Sequence, residues 1–149
     1  MFLAAAVIAL AVLCGCEKEE DSKKSKLPGE SAGTAYVGDV VVSGAMPFTD
    51  PGVEWVIEKQ ENGSYTLLLN KTKFAEAMPV RMDMEVRGMA NQGSGSAFRF
   101  ETPSIVPYYN GEQQEARTMT NFRCTADGKT MEVAFICMGL NVEYKGTAK

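Results

Sequence analysis

The chain has 149 residues, 45% of them hydrophobic, with a formal net charge of −4. That length suffices for one domain with a core of its own, and the mild charge, with no basic cluster, argues against nucleic acid as a partner. Histidine is absent, which removes the commonest general base, the Ser-His and Cys-His nucleophile pairs and most zinc sites.

Residues 2–13 are almost purely Ala, Val, Leu and Ile. A membrane helix needs ~20 apolar residues, so the run fits the hydrophobic stretch of a signal peptide instead. No Lys or Arg precedes it, which predicts a true start upstream of Met1. The run ends in Leu13-Cys14-Gly15-Cys16, a quartet that resembles the lipobox of bacterial lipoproteins. The resemblance implies cleavage after residue 15 and acylation of Cys16. Each buried methylene contributes ~0.8 kcal/mol, so several acyl chains give a lasting anchor without any span. Glu17-Lys18-Glu19-Glu20-Asp21 follows at once and resembles the surface-export signal of Bacteroidetes lipoproteins. The expected location is therefore the outer membrane, at the cell surface, with the membrane as partner through the N-terminal lipid. Lys, Glu, Ser, Gly and Pro dominate as far as Gly33, with no aromatic residue, the composition of a flexible leash. Three segments result: signal peptide 1–15, lipidated Cys and linker 16–33, and a folded domain 34–149.

Within the domain nearly every segment reads as strand. Tyr36–Val42 is β-branched and stops at Ser43-Gly44. Val53, Trp55 and Ile57 alternate with Glu54, Val56 and Glu58; Tyr65, Leu67 and Leu69 with Thr66, Leu68 and Asn70. Face parity then fixes the turn at Glu61-Asn62-Gly63. A three-residue loop pairs Ile57 with Leu67 and Trp55 with Leu69, with Gly63 left-handed, whereas a two-residue Asn-Gly turn would mix the two faces. Phe74–Pro79 is expected to form a short helical turn. Met82, Met84 and Val86 alternate with Asp83, Glu85 and Arg87, placing the two carboxylates toward water. Strands follow at 97–102, 115–125 and 129–138, with Leu140, Val142 and Tyr144 in a last one and Gly139 at a bend or bulge. A two-residue turn at Asp127-Gly128 sets Cys124 opposite Met131. Cys137 then lies ~20 Å away, beyond the ~7 Å a disulfide tolerates, so both thiols are expected buried and free.

Short strands joined by sequential hairpins predict an all-β domain, a small antiparallel up-and-down barrel of about eight strands. Tyr36-x-Gly38 heading a Val-rich strand, Asn62-Gly63-Ser64-Tyr65-Thr66-Leu67 in the second hairpin and Tyr144-x-Gly146-Thr147 at the end resemble the calycin-like (lipocalin-like) barrel lipoproteins of Bacteroidetes. The resemblance implies a lipid-anchored barrel of the cell envelope.

The sequence carries no catalytic, cofactor or metal set. Asp83 and Glu85 alternate with methionines and read as a solvated face rather than a glycosidase pair. Met78, Met82, Met84 and Met89 cluster; a Cu(I) site of thioethers is outweighed by Met filling an irregular interior. Pro103–Tyr109 holds two prolines among apolar and aromatic residues, suiting either a plug or part of a ligand mouth. The expectation is a non-enzymatic binding module for a small hydrophobic or amphipathic ligand. Its contacts would be Trp55, Leu67, Leu69, Met82, Met84 and Phe135, with Tyr108 and Tyr109 at the rim. The rival is a filled barrel that contacts envelope proteins or glycans through its exterior, since eight strands leave just enough room for side chains.

Overall fold

The computed structural model describes residues 33–149; the expected signal peptide 1–15, the expected lipidation site Cys16 and the expected export signal lie outside the described residues. Ten strands form one antiparallel sheet: β1 Thr34–Ser43, β2 Phe48–Lys59, β3 Tyr65–Thr72, β4 Met82–Met89, β5 Phe98–Ile105, β6 Tyr108–Tyr109, β7 Glu112–Gln113, β8 Met119–Ala126, β9 Thr130–Cys137 and β10 Leu140–Ala148. Their order is β5-β8-β9-β10-β1-β2-β3-β4-β6-β7. Most neighbours in space are neighbours in sequence, and β1, the first described strand, pairs with β10, the last. The antiparallel all-β expectation holds, but the strand count is ten rather than about eight. The two-residue strands β6 and β7 account for the difference.

The sheet curls with no strand ladder between β5 and β4. The residues that follow β4 bond to the edge of β5 instead. Asn91 Oδ1 accepts from Arg99 N, and Gln92 N donates to Arg99 O at 2.7 Å. The Gln92 amide then exchanges two bonds with the main chain of Glu101, imitating a strand residue. Two positions on, Pro103 has no N–H to offer, which blunts the rest of the edge. After Ile105 the chain crosses to β4, where Tyr108 and Tyr109 pair with Glu85 and Met84. Thus both ends of the sheet, β5 and β7, are carried by one stretch of chain interrupted at 106–107 and 110–111.

Register confirms the expected pairing of the second hairpin, β2–β3. Ile57 faces Leu67 and Trp55 faces Leu69, with Gly63 at φ 89°. The later hairpin is shifted by two residues from expectation. Cys124 opposes Val133, and the turn residues are Gly128 and Lys129. Asp127 causes this, since its Oδ1 accepts from the N–H groups of Lys129 and Thr130 and so places it at the first position of the turn. A shift of two preserves face parity, so the inward set is unchanged. Cys124 and Cys137 remain free, and both are buried; this register puts them roughly 14 Å apart, still too far to bond. Of the bend or bulge expected at Gly139, the structure has the bend, a tight turn. Met138 and Gly139 both have positive φ, 52° and 79°, between the paired Cys137 and Leu140, which is a type I′ turn. At 74–79 there is a turn but no helix, and residues 115–117 form a single 3₁₀ turn rather than the start of a strand.

Side chains fill the inside of the curl. Trp55 stacks on Tyr144 with ring centroids 4.2 Å apart, and Trp55 Nε1 donates to Thr72 Oγ1 at 2.9 Å. The Tyr144 hydroxyl lies within donating distance of the carbonyls of Tyr36 and Val53. Its ring passes over Gly146, where a Cβ would come within 2.6 Å of the Tyr144 oxygen. Glycine is therefore required there for contact rather than for φ. Toward the end that carries the β3–β4 connection, Phe122 stacks on Phe135 and Phe74 meets Phe135 edge-on.

Candidate functional site

The side chains expected to contact a ligand fall into two groups. Trp55, Leu67, Leu69, Met82, Met84 and Phe135 are all buried, none more than 5% exposed. They pack on one another and on residues the sequence did not single out, above all Phe74 and Phe122. Phe74 comes from the connection before β4, and its lone position outside any alternating run hid it. Tyr108 and Tyr109 are half-buried on β6. The Arg87 guanidinium covers the Tyr108 ring at 4.1 Å, and Tyr109 packs against the core. Pro103–Ile105 thus ends β5, while Tyr108 and Tyr109 lie along β4. Of these eight residues only Phe135 borders any of the hollows described next.

Those hollows open on the outer surface. The first, of about 840 Å³, lies over β5, β8, β9 and β10 and is bordered by Glu101, Pro103, Asn121, Arg123, Ala134, Ile136, Asn141 and Glu143. Phe122, Phe135 and Val142 also border it, but they are buried on the inner face, so they reach it through the main chain. A second hollow of about 320 Å³ shares Glu101, Arg123, Ala134 and Glu143 with the first, and extends to Thr125, Glu132 and Lys145. A third, of about 330 Å³, sits over the irregular start of β2. There Asp50, buried in the sheet, is held by both Arg81 nitrogens at 2.6 and 3.0 Å. The hydrogen bond from Arg81 and the charge of Asp50 hold the guanidinium proton more tightly than usual.

Chemistry elsewhere is quiet. Asp83 faces out and accepts from Lys71 N, and Glu85 is paired with Arg87. Burial pushes the Cys124 thiol up to about 12, leaving almost no thiolate near neutrality. The Cys137 thiol is also raised by burial, opposed by the charge of Arg117. The carboxyl of Asp127 is held below its ordinary range by the backbone N–H groups of Thr130 and Lys129.

Comparison with protein-family models, with curated proteins and with solved structures finds no match.

Proposed function

We propose that this chain is a lipid-anchored protein of the bacterial outer membrane, displayed at the cell surface, whose lipocalin-like barrel is filled. It acts without catalysis, as an interaction module that works through its exterior. The observation that carries the reading is the packing of the inward set. Trp55, Ile57, Leu67, Leu69 and Val86 are fully excluded from solvent, and hollows of ligand size open outside. An interior ligand would require Phe74, Phe122 and Phe135 to move apart, which close-packed interiors resist. The anchor rests on Leu13-Cys14-Gly15-Cys16 and the apolar run before it.

The anchor is tested by Cys16→Ala. The variant should lose its acyl chains and move to the soluble fraction, because the apolar leader is too short to hold it. Retention in detergent-extractable membranes at the wild-type level would refute the lipoprotein assignment.

A further inference from the structure

The outer trough on β5, β8, β9 and β10 has a chemistry of its own. Cross-strand register lines up Glu101, Arg123, Ala134 and Glu143 in one outward row. The only small side chain in the row, Ala134, lies between Arg123 and Glu143, so the trough is about two strand spacings across, or ~9.5 Å. Ile136 extends its apolar floor along β9. From Ile136 to Glu132 the two connected hollows run four residues, roughly 14 Å. Neither Arg123 nor Glu143 forms an ion pair among the described residues.

A local distortion adds to the wall. Between Thr120 and Arg123 the β8–β9 register shifts by one residue, and Asn121 adopts φ 50°. This bulge turns both Thr120 and Asn121 outward, and bulges of this kind re-aim side chains beside binding sites.

We propose that the trough binds an uncharged, hydroxyl-rich ligand, a short run of a glycan chain. This rests on the exterior reading above and gives it a site. Two amides, Asn121 and Asn141, two carboxylates and one guanidinium line the first hollow. All are planar groups with paired donors or acceptors, suited to neighbouring hydroxyls that both donate and accept. Ala134 and Ile136 offer apolar surface to the C–H face of a sugar ring. Glu101 is engaged by Arg99 at 3.3 Å, and Arg123 and Glu143 offset one another across Ala134, so the lining offers no excess positive charge to an anionic ligand. A peptide adding a strand is a poor fit, because β8, β9 and β10 are each paired on both sides and have no main-chain groups to offer. The volume lies within the ~300–1,000 Å³ typical of small-ligand sites.

The test is methyl NMR on the full chain labelled at Ala and Ile. It is titrated separately with neutral trisaccharides, a sulfated trisaccharide and a long-chain fatty acid. Ala134 and Ile136 report the trough, while Ile57 and Ala126 report the interior. At least one neutral trisaccharide should shift Ala134 and Ile136 saturably and leave Ile57 and Ala126 in place. Arg123→Ala should weaken that binding ~10-fold or more, and Ala134→Trp, which fills the trough, should abolish it. An unchanged Ile57 signal shows that each variant is folded. No trough shift with any neutral trisaccharide at millimolar concentration, or shifts with the sulfated one alone, would overturn the glycan proposal and leave the exterior reading standing. Saturable shifts of Ile57 with the fatty acid would overturn the exterior reading itself.

Discussion

Met84→Ala separates a filled interior from a ligand-lined one. Met84 is 2% exposed and lies between Leu69 of β3 and Tyr109 of β6 in the sheet. Truncation removes the buried thioether and its methylenes, and the neighbours are fixed by strand pairing, so the void cannot collapse. Large-to-small changes of this kind cost ~2–5 kcal/mol, with the larger values where the site stays open. Held by strands on both sides, this site belongs in that range at ~3 kcal/mol or above. With a urea slope of ~1–3 kcal/mol per molar for a small domain, the midpoint should fall by roughly 1–3 M. Urea denaturation followed by the fluorescence of Trp55 measures this directly. Met84→Leu, nearly isosteric, should cost under ~1.5 kcal/mol, and Thr125→Ala on the exposed face should stay within about 0.5 kcal/mol. A loss below ~1 kcal/mol for Met84→Ala would refute the reasoning, since a side chain beside an existing void has fewer contacts to lose. Saturable uptake of a fluorescent fatty-acid probe by the wild type would refute it independently.

Gly146→Ala should push the Tyr144 ring off Trp55, because the new Cβ would fall 2.6 Å from the Tyr144 oxygen; the cost should be ~1–3 kcal/mol with a shift in tryptophan emission, and an unshifted spectrum would count against the contact. The Asp127 carboxyl is depressed in the folded state by its backbone partners, so its contribution is present above the unfolded carboxylate value and fades as pH falls through the lower folded one. Urea midpoints of wild type and Asp127→Ala should accordingly differ at neutral pH and converge in strong acid, and a gap independent of pH would exclude that role. Replacing Lys18, Glu19 and Glu20 with Ala should lower cleavage by external protease on intact cells at constant membrane-bound protein; unchanged cleavage would leave that segment as plain linker.

Alternation along single strands was enough to identify the inner face, because a half-buried sheet forces a period of two on the chain. Parity also selected the three-residue loop at 61–63, where the competing turn would have mixed the faces. It could not select between registers two residues apart. At Asp127 that choice fell to one side chain capping two N–H groups, a local hydrogen bond invisible to a hydrophobic pattern. Phe74 escaped notice for a related reason: it enters the core from a connection with no period at all. The outer trough was still further from reach. Glu101, Arg123, Ala134 and Glu143 are spread over four strands, and nothing in their spacing marks them as neighbours. Only the order β5-β8-β9-β10, set by the edge at Pro103 and the crossing to β4, lines them up. The interior was written in the sequence because burial acts on every second residue; the exterior site was decided by the tertiary register, because solvent imposes no such pattern on an outward face.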